Sequence, residues 1–256
     1  MPKPSVMKIA GRETMNVATV RPWKNFPILD DSVFYMWRGV FVVLIVIACV
    51  VTGGVWWQRG AVPPALEQLA TLEVKGKAPT KDSSGGMYAY SREAFGQKWS
   101  DDVTVEGGHN GCDTRNDVLR TQLEDVVVKP GTRGCVVLSG TLHDPYSGDV
   151  IAFQRGAKTS GQVQIDHVVA LANAWQTGAF AWSDEKRRNF ANDPRNLLAV
   201  KGSLNEQKKA ADAAAWLPPA GRCEYAARQV AVKAAYGLWV TEAEKEALRR
   251  VLAGCG

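Results

Sequence analysis

The chain has 256 residues, 46% of them hydrophobic and 22% charged, a balance that excludes wholesale disorder and leaves room for one or two domains with a buried core. Its formal net charge is +5, but residues 1–81 hold ten Lys/Arg against five Asp/Glu while residues 82–256 hold 21 of each. The basic excess therefore sits at the N-terminal end, and the total charge identifies no nucleic-acid-binding face.

In chain order, the first feature is an uncharged stretch, GVFVVLIVIACVVTGGVWW, over residues 39–57. At about 1.5 Å per residue it crosses most of a ~30 Å hydrocarbon core. Arg38 flanks it, and Trp37, Trp56 and Trp57 stand where interfacial aromatics belong. Residues 1–38 carry six Lys/Arg, whereas Arg59 alone follows closely on the other side. The positive-inside rule then puts the N-terminus in the cytoplasm and the rest outside. A buried core helix is the soluble alternative. Among membrane readings, a signal-anchor fits best, because no A-x-A cleavage site is evident. A start at Met36 would make the leader a cleavable signal, and Val46-Ile47-Ala48-Cys49 resembles a lipoprotein box, although the apolar run continues past Cys49. The expected organisation is a leader (1–38), a transmembrane anchor (39–57), a linker (58–81) and one domain (82–256). That domain is anchored outside the membrane, or secreted if the leader is removed.

Four cysteines lie beyond the apolar span: Cys112, Cys135, Cys223 and Cys255. Four permit three pairings, and sequence proximity suggests Cys112–Cys135 and Cys223–Cys255. A zinc site, with His109 close to Cys112, is the rival reading, but no C-x-x-C pair exists. Disulfides in an oxidising compartment are expected.

Residues 58–81 read as a spacer with room for a short helix near Ala65–Leu72. A helix is expected from Thr114, with Thr114 as cap and Asp117 in the first turn. Strands follow at Val126–Val128, Cys135–Leu142 and Val150–Gln154, making a small antiparallel meander with a turn at Asp144–Asp149. A short strand at Gln162–Asp166 leads into Asp166-His167. Helical spacing then covers Val168–Thr177, and Ser183 caps a helix to Phe190. Asn196–Val200 is a strand, and Ser203 starts a helix that carries Asn205, Lys208 and an alanine run up to Trp216. Two helices close the chain, Cys223–Tyr236 and Thr241–Leu252, the second opening with the capping box Thr241-x-x-Glu244.

The chemistry lies in the order strand, Asp166-His167, strand, helix with Asn205. Two strands with a helix across them can hold a divalent ion between the first strand's end and the helix. An Asp-His pair alone says little; the combination with Asn196-Leu197 and Asn205-x-x-Lys208 says more.

From about Met87 onward the chain resembles the HNH (His-Me finger) endonucleases, in a secreted bacterial branch related to the C-terminal domain of GmrSD-type restriction endonucleases. The stretches that carry the resemblance are GCDTRNDVL, VVLSGTLHDPYSGDVIAF, QIDHVVALANAW, FANDPRNLLAV, LNEQKKAADAAAWLPP and CEYAARQVAVKAAY. Two positions depart: Ala170, where many relatives have proline, and Asn205, where many have histidine. The resemblance implies an α+β fold with a ββα-metal core, the meander before it and two helices after it.

It also implies hydrolysis of phosphodiester bonds, with 5′-phosphate and 3′-hydroxyl products, and roles for particular residues. His167 is expected as general base. Asp166 and Asn205 are expected to hold one divalent ion, Mg²⁺ first, with Mn²⁺, Ca²⁺ or Zn²⁺ as alternatives. Asn196 orients the His167 loop, a loop-capping asparagine after Asp193-Pro194 being the bland alternative. Lys208 contacts phosphate or the metal-site backbone, unless it and Lys209 are merely a solvated helix face. Arg115 reaches the scissile phosphate, or simply starts a helix. His109 and His143 lack such a setting. Lys186, Arg187, Arg188, Arg195, Lys201, Lys208 and Lys209 crowd the sequence around the site and suggest nonspecific, salt-sensitive binding of nucleic acid, DNA before RNA. No protein partner is evident. A noncatalytic envelope binding module and a delivered toxin nuclease are the other readings.

Overall fold

Short runs rich in valine and other β-formers, separated by turns, build an antiparallel meander: β1 (Glu124–Val128), β2 (Val137–His143) and β3 (Val150–Gln154), in the order β1-β2-β3. A separate antiparallel pair follows, β4 (Val163–His167) with β5 (Leu197–Lys201). Its register sets Asp166 opposite Leu198 and His167 opposite Leu197. The computed structural model describes residues 63–79 and 89–255, all within one unit, Trp56–Gly256. The expected leader and membrane span at 39–57, and Cys49 within it, lie outside the described residues. Among the described residues no helix is long and apolar enough to cross a membrane.

Among the described residues seven α-helices accompany the strands: α1 (Pro63–Thr71), α2 (Thr114–Gln122), α3 (Leu171–Gln176), α4 (Asp184–Asn192), α5 (Gly202–Lys208), α6 (Arg222–Tyr236) and α7 (Glu242–Ala253). The result is a mixed α and β fold with two small antiparallel sheets. Val118 and Leu119 of α2 bury against Val137, Leu142 and Phe153 of the meander and Val163, Ile165 and Leu197 of the pair. Each such side chain contributes about 1.5–3 kcal/mol of burial, so α2 fastens the two sheets together.

Several elements differ from the sequence expectation. The N-cap of α2 is Asp113, whose carboxylate accepts from Asn116 N, not Thr114; Thr114 instead donates its hydroxyl to Ser100 O. Part of the supposed spacer belongs to the core, because Ala65, Leu69 and Leu72 pack with Val230 of α6 and Leu248 and Leu252 of α7. The helix expected from Ser203 to Trp216 ends at Lys208, where Lys209 turns to φ +51°. The alanines that follow form turns around Asp212, whose carboxylate accepts from Ala214 N and Ala215 N. High helix propensity lost there to a local side-chain acceptor. Ser183 and Thr241 do cap α4 and α7.

Both disulfides pair as proximity suggested. Cys112–Cys135 ties the start of α2 to the lead-in of β2, and Cys223–Cys255 joins the start of α6 to the end of α7, with Cα atoms 5.2 and 5.8 Å apart. Each closes a loop long enough to be worth about 2–4 kcal/mol.

Candidate active site

Position 202 decides where α5 lies. A Cβ on Gly202 would stand 2.0 Å from Gly161 O, so only glycine lets the helix start flush against the lead-in of β4. One turn on, Asn205 comes level with β4, and its Nδ2 donates to Gln164 Oε1 at 2.8 Å. The amide is thereby oriented, and its oxygen is left without a hydrogen-bond partner among the described residues.

Asp166 and His167 end β4 and are both buried. The Asp166 carboxylate accepts from Tyr146 Oη at 2.6 Å on Oδ2 and from Lys208 Nζ at 3.0 Å on Oδ1. Burial pushes its pKa up, against the opposing pull of Lys208 and Tyr146. Lys208 Nζ also donates to His167 O at 2.9 Å, and its side chain is fully buried. The solvated-face reading of Lys208 is thus wrong: it is an internal clamp between the carboxylate and the backbone beside it.

His167 Nε2 lies 2.8 Å from Ala191 O. A carbonyl can only accept, so Nε2 carries the hydrogen and Nδ1 keeps its lone pair. Ala191 is in the last turn of α4, where carbonyls have no partner within the helix; the imidazole supplies one. Trp99 stacks on the ring, with centroids 5.7 Å apart and planes 5° from parallel. Burial lowers the His167 pKa to about 3 despite the bond to Ala191, which keeps the imidazole neutral. Asn196 holds the next residues: Oδ1 accepts from Val169 N at 2.8 Å, Nδ2 donates to Val169 O at 3.2 Å, and its backbone oxygen accepts from Val168 N. The chain leaving His167 is therefore pinned at two consecutive residues.

Asp166, His167 and Asn205 line one cavity of about 360 Å³, with Tyr90, Arg92 and Lys209 at its sides. Arg115 does not join them; its guanidinium donates to Val163 O at the opposite end of β4. The sequence cluster of cations also disperses. Lys186 and Arg187 donate to backbone carbonyls, and Arg188, Arg195 and Lys201 pair with Asp102, Asp193 and Asp149. Of the seven, only Lys209 borders the cavity as a side chain with no hydrogen bond or ion pair among the described residues. His109 and His143 lie near Asp102 and Glu124 on the surface.

Sequence reading missed Tyr146, Arg92 and Trp99. Tyr146 had a visible signal, an aromatic inside the polar turn Asp144-Pro-Tyr-Ser-Gly-Asp149. Asp144 fixes that turn by accepting from Lys201 N, Ser147 N and Ser147 Oγ, and this seats Tyr146 under β4. Nothing local marks Arg92 or Trp99, which come from a loop about 70 residues before His167.

A neutral imidazole, a buried carboxylate and an amide oxygen without a hydrogen-bond partner border one opening, groups able to accept a proton and to offer oxygen donors, which is the chemistry that hydrolysis uses. The comparisons with known proteins agree with that class. The family model described as GmrSD restriction endonucleases, C-terminal domain, matches residues 113–251, more than half the chain and all of β4, β5 and α5. A protein of Arthroderma benhamiae described as an uncharacterized secreted protein is 34% identical over 197 residues, covering 75% of this chain and 89% of that relative. No solved structure matches. The chain belongs to the GmrSD C-terminal-domain family and is a nuclease-related protein.

Proposed function

We propose that the protein is a metal-dependent HNH-type endonuclease that hydrolyses nucleic-acid phosphodiester bonds outside the cytoplasmic membrane. The observation that carries this reading is the His167 tautomer: with Nε2 spent on Ala191 O, Nδ1 is left as the ring's basic nitrogen, on a residue that lines a cavity together with Asp166 and Asn205.

The donor set fits a hard divalent ion. A carboxylate has about four lone-pair sites, and Tyr146 and Lys208 use two of those on Asp166. The Asn205 oxygen is a second, neutral donor. One carboxylate, one carbonyl and remaining waters suit Mg²⁺. Among the described residues no group of three or more His, Cys, Asp or Glu stands together, which argues against the tetrahedral nitrogen and sulfur set that zinc prefers. Bound there, a divalent ion supplies positive charge for the phosphate and the departing oxygen.

The chain's own residues do the rest. His167 Nδ1 takes a proton from the attacking water, while the Nε2–H bond to Ala191 O spreads the charge that the ring acquires. Trp99 and Asn196 fix the ring and the turn after it. Lys208 offsets the buried charge of Asp166 and holds the carboxylate on its rotamer. Lys209 and Arg92 stand ready for phosphate oxygens. The secreted relative and the two disulfides support an extracytoplasmic site of action.

The test is plasmid nicking by the purified full-length protein with Mg²⁺, with EDTA and as His167→Ala. Chelation is expected to stop cleavage, and the substitution to lower kcat/KM by about 10²–10⁴-fold. Cleavage surviving both rules the mechanism out. A correctly folded protein that binds nucleic acid and never cuts it supports the binding-module reading instead.

A further inference from the structure

His167 borders two cavities. Beside the first lies a second, of about 270 Å³, lined by Phe95, Trp99, Leu171 and Ala191 together with the exposed residues Arg92, Glu93, Gln97 and Lys98. Arg92, His167 and Leu171 border both cavities. Whatever enters the second space is therefore the immediate neighbour of the group that reacts in the first.

We infer that this second cavity is a nucleobase subsite: it receives the base of a nucleotide flanking the scissile phosphate, which makes single-stranded nucleic acid the preferred substrate. The inference rests on the nuclease reading and adds the class of substrate. The volume lies just below the range of sites for drug-sized ligands, so it suits one flat ring group. An aromatic and aliphatic lining beside two exposed cations, Arg92 and Lys98, and one exposed carboxylate, Glu93, matches a base attached to a phosphodiester: the ring against the apolar wall, the phosphate toward the cations. Lys98 Nζ stands 6.0 Å over the Trp99 ring, which keeps a cation next to the apolar wall.

Edge groups are present too. Gln97 borders the cavity with an exposed amide, and Glu93 borders it with Oε2 held by Ser91 Oγ at 2.5 Å. Trp99 and Lys209, at φ +57° and +51°, border the two cavities in positive-φ conformations that are costly for a non-glycine residue, as are those of His109, Asp125 and Arg133 away from both cavities. A base stacked in a duplex cannot reach such a recess without unpairing, whereas a single strand presents it already splayed.

The experiment uses the full-length protein and three fluorescein-labelled nonamers of equal sequence: a single strand, its blunt duplex, and a single strand in which the bases are replaced by abasic sites. Affinity is read by anisotropy in EDTA, where no turnover occurs, and cleavage separately with Mg²⁺. The intact strand is expected to bind about tenfold or more tighter than the abasic strand of the same charge, and to be cut faster than the duplex. Trp99→Ala is expected to erase the intact-versus-abasic difference, and Trp99→Phe to keep it. Equal binding of intact and abasic strands overturns the inference, as does a duplex cut as fast as the single strand. If Trp99→Ala does not fold, the three wild-type affinities decide. Base-dependent binding without any cleavage would defeat the nuclease reading and leave the subsite standing, so the two failures are told apart.

Discussion

Asp166 and His167 are adjacent in the sequence, and their pairing on one strand end was legible for that reason. What each does was not. Asp166 looked like an open metal ligand, yet a buried lysine and a buried tyrosine already hold it. Lys208→Met would strand a buried carboxylate, a change expected to cost about 3–5 kcal/mol; urea unfolding measures it, and adding Asp166→Asn is expected to recover part of the loss. His167 gives a second prediction. Its folded pKa is lowered to about 3 by burial, while the unfolded imidazole titrates near ~6.5. Between those values the unfolded chain binds a proton that the native one refuses, so His167 favours the native state above pH ~6.5 and loses that contribution as pH falls toward 3. Burial raises the Asp166 and Glu244 pKa values, and these act in the opposite sense. Comparing wild type with His167→Gln cancels them. In EDTA, from pH 7 to 4.5, wild type is expected to lose up to about 3 kcal/mol more than the variant. Equal losses would mean that the ring is protonated or exposed in the native protein.

At the scale of elements, strands and capped helices were legible because their signals are local: β3 falls where the apolar run after the Asp144–Asp149 turn put it, and Ser183 and Thr241 cap where expected. The helix carrying Asn205 was overextended, since alanine propensity says nothing of a neighbouring carboxylate that captures the amides of Ala214 and Ala215. The starting point of that helix depends on a contact with Gly161, 41 residues upstream of Gly202, which no local pattern reveals. Gly202→Ala is expected to push α5 away from β4. Overpacking of this kind costs about 1–3 kcal/mol, and the shift should weaken divalent-ion binding because Asn205 moves with the helix. Isothermal titration with Mg²⁺ and a thermal melt read the two effects. A variant with unchanged ion affinity would mean that Asn205 does not hold the ion.

Across the whole molecule, electrostatics changed most between sequence and structure. Seven cations near the site in sequence suggested a broad phosphate-binding patch. Folding ties six of them to carbonyls and carboxylates and leaves Lys209, which Arg92 and Lys98 from an earlier loop join beside the cavities. For three phosphate contacts the plot of log affinity against log salt should have a slope of roughly −2 to −3, against roughly −5 to −6 for seven. Anisotropy titrations between low and physiological salt measure it, and the steeper value would restore the broad patch.

By itself the sequence determined the order of the strands and helices around the site and the placing of Asp166 beside His167 at one strand end, and it suggested the two cysteine pairings, because each is written in periodicity, proximity or adjacent residues. Tertiary structure alone decided which imidazole nitrogen is free, which lysine is buried and which cations face the cavities. Those properties depend on Ala191, Tyr146, Trp99 and Arg92, which reach His167 and Asp166 from other elements of the fold. Protonation and charge respond to distance in space, and separation along the chain does not encode it.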